Sequence, residues 1–363
     1  MIDDTKPVDN TYTVENIVDN TLVISTPPHV RKKRNTKGIM GDVCIALAPA
    51  AIAGIVFFGY MAFIIELVAV LGCVATEFVY FFIAKGGFAN KCKNAKATCL
   101  AWWKQFDLTS IVTGLILALI LPVTVKWYEV LIGSIFAIAI VKMFFGGTGK
   151  NLVNPAATAR VLMLLSFSMT VYVAANVGAV QGGGEVLTSA TNLNHLLNES
   201  HLSQLSVLDL FLGTGVNGCI GETSALAILI GYIYLCVRKV IKWWQPLLLL
   251  AVFGFCAVLL SGFYFDKYKF DIGLFLPHVL SGGAVFAAVF MFTDYVTSPK
   301  GVIGQLVYYI AGGILLALLR YLTGLEVASF VILIMNILVP LIDRYCIRKP
   351  FGYVKEKKHK EGK

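Results

Sequence analysis

The chain alternates long apolar runs with short polar joints, and its polar residues gather in the joints instead of lining one face of each run. Most runs approach the roughly 20 residues that a helix needs to cross a bilayer, which predicts membrane spans. They fall at about residues 39–60, 63–84, 110–125, 128–145, 156–177, 219–237, 246–264, 273–292, 302–322 and 327–341. The predicted fold is therefore all-α, a polytopic integral membrane protein of about ten transmembrane helices. A bundle over 39–343 lies between polar tails at 1–38 and 344–363.

Charge orients these spans. Arg31-Lys32-Lys33-Arg34 and Lys37 precede the first run, so the positive-inside rule puts the N-terminus in the cytoplasm. Lys85, Lys91, Lys93, Lys96 and Lys104 mark the second joint as cytoplasmic, Arg238, Lys239 and Lys242 mark a later one, and the C-terminal tail is lysine-rich. Residues 178–206 contain neither Lys nor Arg, which assigns this longest internal joint to the extracytoplasmic side. The joint with Lys267 and Lys269 fits least well, because alternation puts it outside.

Composition agrees: 58% hydrophobic and 14% charged residues exclude a soluble enzyme. The net charge of +9 is concentrated at the ends and in the joints, so it reads as a topology signal and not as a nucleic-acid surface. The first residues lack the apolar core of a signal peptide, and the first span is expected to be a retained anchor. Eight scattered cysteines form no Cys-x-x-Cys pair, and no metal site is expected. The run 146–151 is glycine-rich but lacks the ending of a phosphate loop.

Two kinds of residue remain as candidates for chemistry. One is the extracytoplasmic stretch Glu185-Val186-Leu187-Thr188-Ser189-Ala190-Thr191, whose hydroxyls lack an activating base other than His195 or His201. On residue types alone it reads either as a solvated turn or as an attachment site. The other kind is the ionisable residue inside an apolar run, costly unless functional: Glu77, Lys142, Arg160, Glu222 and Asp294. Asn154 is a ready N-cap before Pro155, and Arg160 follows about a turn and a half later. Arg160 suits a flavin or quinone-like head group, and equally a snorkelling side chain or a partner for Glu77. Asn217, Glu222, Thr223 and Ser224 form a glycine-flanked helix start, open to a planar ring or simply capped. Asp294 and Thr297 suit a sodium ligand set or a structural helix end, and with Glu77 they make up a candidate ion path.

Several stretches in order carry a resemblance: Pro28-His29; Ile39-Met40-Gly41-Asp42-Val43; Phe145-Gly146-Gly147-Thr148-Gly149; and Asn154-Pro155-Ala156. Gly221-Glu222-Thr223-Ser224-Ala225 and Thr293-Asp294-Tyr295-Val296-Thr297-Ser298 follow. Over nearly all of its hydrophobic length the chain resembles the RnfD/NqrB family, which holds a membrane component of the Rnf complex and one of the sodium-pumping quinone reductase. That resemblance implies a urea-transporter-like architecture of inverted five-helix halves in a prokaryotic cell membrane. It implies an electron-transfer subunit that is not catalytic alone, within an ion-translocating ferredoxin:NAD oxidoreductase, with the other complex subunits and membrane lipids as partners. It also implies FMN joined through its phosphate to Thr191 by a flavin transferase, Glu185, Thr188, Ser189 and Ala190 completing the motif, with a second noncovalent flavin such as riboflavin. Glu185 stands where the family's motif has aspartate. A quinone-reducing subunit and a small-solute or ion transporter are the alternatives.

Overall fold

A computed structural model describes residues 35–84, 100, 102–103, 106–167, 207–213, 218–264, 272–323 and 326–346. All its regular elements among these residues are helical: α1 Thr36–Phe58, α2 Tyr60–Ala84, α3 Thr109–Leu119, α4 Trp127–Ile135, α5 Pro155–Ser166 and α6 Val207–Leu212. α7 Ala225–Val237, α8 Trp244–Tyr264, α9 Phe275–Leu280, α10 Ala284–Phe286, α11 Val302–Thr323 and α12 Ala328–Tyr345 follow. The described helices lie in one compact unit, Thr36–Lys363.

Five helices, α1, α2, α8, α11 and α12, are long and apolar enough to cross a bilayer, and a sixth crossing results if the bent α9–α10 pair counts as one span. Their outward faces are as apolar as their inward ones, with Ile52, Leu71, Phe255 and Ile303 all exposed. Such a surface is stable against lipid and not against water. The charged side chains turn inward instead: Asp42, Glu77, Lys142, Arg160 and Arg320 are all buried.

The remaining predicted spans differ from straight helices. The run 110–125 is helical only to Leu119, and a turn containing Pro122 follows. The run 219–237 becomes α-helical at Ala225, where the Ser224 hydroxyl accepts the Ala227 N–H. Within 273–292 the chain bends by 73° between α9 and α10, around Gly282, whose φ is +70°. The run 156–177 gives α5 as far as Ser166, and residues beyond 167 lie outside the described part. Hydropathy cannot foresee these breaks, because broken backbone inside a protein keeps the same apolar side chains.

Each break must satisfy the backbone groups it frees. Beyond α3, the Leu119 and Leu121 carbonyls accept the N–H groups of Gly221 (2.7 Å) and Ile220 (3.1 Å). Two non-helical segments, one before α4 and one before α7, thus close each other. The approach requires glycine, since a Cβ on Gly221 would lie 2.5 Å from that of Leu119. At the other break, Arg320 of α11 donates to the carbonyls of His278 (2.8 Å) and Ser281 (3.1 Å), which caps α9.

Two helices also widen into π turns, α4 through Phe136–Met143 and α10 through Ala287–Met291. A π turn adds a residue to the helical repeat and shifts the facing of everything after it. Lys142 lies in the first and is 1% exposed.

Candidate functional site

Broken helix ends bring charges from distant parts of the sequence together. Arg160 projects from α5, Cys219 and Glu222 lie before α7, and Glu326 precedes α12. The Arg160 Nη2 donates to Glu326 Oε2 at 3.1 Å and to Cys219 Sγ at 3.4 Å. Glu222 turns back on its own segment, its Oε1 accepting the Cys219 N–H at 2.6 Å. Space for its carboxylate comes from Gly283, where a Cβ would sit 2.6 Å from Oε2.

Ligand atoms of Cys219, Glu222 and Glu326 come within 4.8 Å of one another, a grouping able to hold a cation. The Arg160 guanidinium is hydrogen-bonded within this group, and the Arg320 charge also acts on both glutamates. Arg160 therefore neither snorkels nor pairs with Glu77, the alternatives that sequence left open: it is 5% exposed and bound to Glu326. Glu326 was not among the sequence candidates because it sits between two apolar runs, where a carboxylate reads as a solvated joint.

Glu77 has a different partner. The Lys142 Nζ lies 3.4 Å from Glu77 Oε1 and donates to the hydroxyls of Ser110 (3.0 Å) and Thr109 (2.5 Å), and Ser110 in turn donates to Glu77. The Thr109 hydroxyl reaches Asp107 Oδ1 at 2.6 Å and lies 3.2 Å from that of Thr148. Burial works against the Asp107 carboxylate, but hydrogen bonds from Thr109 and Thr148 and the Lys142 charge outweigh it and lower its pKa.

This pairing has a measurable consequence. Lys142→Met should destabilise the protein by about 1–3 kcal/mol, the cost of a charged group losing its partner while Ser110 still reaches Glu77. Adding Glu77→Gln should recover most of the loss. Thermal unfolding of the detergent-solubilised protein, followed by gel filtration, checks both.

Beside this network is a cavity of about 100 Å³, its polar lining supplied by Thr109, Thr113, Lys142, Thr148, Asn151 and Asp294. Apolar walls come from Val112, Ile116, Leu235 and Phe290. The Asn151 Oδ1 is buried there without a hydrogen-bond partner among the described residues.

Of the sequence candidates, Asn154 caps α5 by accepting the N–H groups of Ala156 (3.1 Å) and Ala157 (3.2 Å). Asp294 accepts from the Val296 N–H and the Thr297 hydroxyl, both at 3.1 Å, and so closes its own turn. Asn336 of α12 joins the two segments, its amide oriented to donate to the Thr297 carbonyl at 3.2 Å and accept the Asn154 N–H at 3.0 Å. Thr223 donates to the Ile220 carbonyl, and Ser224 is the α7 cap already described. Glu185, Thr188, Ser189, Ala190, Thr191 and Asn217 lie outside the described residues.

Asp42, Glu66, Glu129 and Arg320 are buried charges outside the sequence candidates. Glu66 lies in α2 and Arg320 in α11, at 7% and 2% exposure. Both interrupt long apolar runs, which was the signal available.

Apolar outer faces, inward charges and broken helices closed by protein groups define a multi-pass membrane protein with a polar interior. The chain belongs to the NQR2, RnfD, RnfE family, whose sequence profile matches residues 23–352. It is 38% identical, over 93% of its length and 97% of the relative's, to the D subunit of the Na(+)-translocating ferredoxin:NAD(+) oxidoreductase complex of Acetobacterium woodii. The counterpart from the proton-translocating complex of Clostridium ljungdahlii is 33% identical over 93% of this chain and 98% of its own. The corresponding protein of the ion-translocating oxidoreductase complex of an Escherichia coli strain is 30% identical over 92% of this chain and 99% of its own.

Proposed function

We propose that this chain is the RnfD-type membrane component of an ion-translocating ferredoxin:NAD oxidoreductase and carries electrons through FMN joined by its phosphate to Thr191. The observation that carries the reading is coverage: the match to the Acetobacterium woodii relative takes in 93% of this chain and 97% of that one. The Glu185-Val186-Leu187-Thr188-Ser189-Ala190-Thr191 stretch supports it, in a joint that charge assigns to the extracytoplasmic side, with both termini cytoplasmic. The fold reading belongs to the same proposal. Counting α4 with its π turn as a span, and the helices α3, α5 and α7 and the α9–α10 bend as broken ones, brings the five long helices to ten crossings, and inverted halves of five are what the family resemblance adds.

FMN supplies the one- and two-electron chemistry when bound, and the phosphoester leaves its ring free to react. Maturation requires a flavin transferase, and the remaining partners are the other complex subunits and lipid. A second, noncovalent flavin such as riboflavin fits the chemistry of the cavity between α3 and the 294–298 turn. There the Asn151 Oδ1, unpartnered among the described residues, suits with the Thr148 and Thr113 hydroxyls the donor and acceptor edge of a flavin ring. These residues would orient the ring and the apolar walls would exclude water.

The test is flavin fluorescence of the denatured band after co-expression with the flavin transferase. The parent protein should fluoresce, and Thr191→Ala should abolish the signal. A Thr191→Ala band of parental brightness would refute attachment at this residue, and a dark parent band would leave a transporter without redox activity as the better reading.

A further inference from the structure

The buried face of α2 carries two carboxyl groups with opposite surroundings. Glu66, Ala69, Cys73 and Glu77 lie along one stripe, and the two glutamates are three turns, or about 16 Å, apart. Glu77 meets an ammonium and a hydroxyl. Glu66 is 7% exposed, and its Oε1 is sealed from solvent without a hydrogen-bond partner among the described residues. An ionised carboxylate there would be a bare charge in an apolar wall, whereas a proton removes that cost.

We propose that Glu66 holds and releases a proton as a station on the ion path, with the α2 stripe leading from it to the Glu77–Lys142 pair and Asp107. The proposal rests on reading the chain as part of an ion-translocating complex. Between the two carboxyls, the Ser134 hydroxyl approaches the Ala69 carbonyl at 3.4 Å. Backbones meet closely there: a Cβ on Gly114 of α3 would lie 2.8 Å from Val70 Cα. That contact closes the direct line along the stripe, and in the proposal release accompanies the parting of α2 and α3. The Glu66 O–H bond then breaks, leaving the carboxylate, and the proton passes to water admitted between the helices. Proton movement is thereby tied to helix movement.

Dicyclohexylcarbodiimide tests this, because the O–H of a protonated carboxyl in apolar surroundings adds across one of its C=N bonds, and the resulting O-acylisourea rearranges to a stable N-acylurea. Membranes holding the assembled complex are treated and the α2 peptide is analysed by mass spectrometry. The adduct should form on Glu66 and not on the ion-paired Glu77, and its yield should fall as pH is raised. Glu66→Gln should lower ferredoxin-driven ion uptake by at least about tenfold while leaving covalent flavin fluorescence intact. Absence of an adduct on Glu66 between about pH 6 and pH 9 overturns the proposal, that interval lying above the ordinary glutamate range. So does an adduct accompanied by parental uptake in Glu66→Gln. If Glu66→Gln does not accumulate, labelling of the parent protein and its pH dependence decide. A dark parent band in the fluorescence assay would sink the Thr191 assignment without touching the labelling result.

Discussion

Arg160→Met is expected to cost about 3–5 kcal/mol of stability, the usual penalty for removing one member of a buried ion pair. The guanidinium is 5% exposed and bridges Glu326 and Cys219, so its loss leaves the half-buried Glu326 carboxylate without its hydrogen-bonded cation. Two further observations raise the stakes. The residues involved come from before α7, from α5 and from before α12, so the pair ties together three stretches far apart in sequence. Glu222 lies beside Glu326, and removing the cation leaves two acids facing one another. Melting of the solubilised protein measures the loss. The double variant Arg160→Met/Glu326→Gln should regain most of it, since a neutral pair carries no uncompensated charge. A double variant no more stable than Arg160→Met alone would mean that Arg160 acts chiefly by packing.

Arg320→Met is expected to be nearly as severe, for a different reason. Arg320 is 2% exposed, and its two terminal nitrogens hold the His278 and Ser281 carbonyls at the end of α9, while the Phe253 ring lies 4.6 Å from Cζ. Each orphaned buried acceptor costs about 1–3 kcal/mol, and both are lost together. Lysine should recover little, because an ammonium lacks the planar fork that serves two carbonyls and stacks on the ring. Melting of Arg320→Met and Arg320→Lys decides. Parental stability in the lysine variant would show that charge alone suffices at the α9–α10 bend.

These two arginines also mark what could be read in advance. Apolar runs predicted α1, α2, α8, α11 and α12, because a straight span must bury its whole backbone in its own hydrogen bonds and shows as unbroken hydrophobicity. The same runs concealed the breaks after Leu119 and before Ala225, where Gly221 and Ile220 satisfy carbonyls from about a hundred residues away. Asn154 was legible as a cap because its partners are two and three residues on. Arg160 was legible as significant but not as the partner of Glu326, since nothing local joins positions 166 apart. The expected extracytoplasmic side of residues 178–206 rests on charge alone, and the flavin on Thr191 rests on family resemblance.

The broken helices also bear on how the chain is made. α3 has 11 residues and α7 has 13, lengths that rise about 16–20 Å and fall short of a hydrocarbon core near 30 Å. Neither can be released singly into lipid from the insertion machinery without stranding polar backbone, and the groups that satisfy the end of α3 are synthesised about a hundred residues later. The first half of this protein must therefore wait, shielded, for the second, so membrane integration and folding are here a single event.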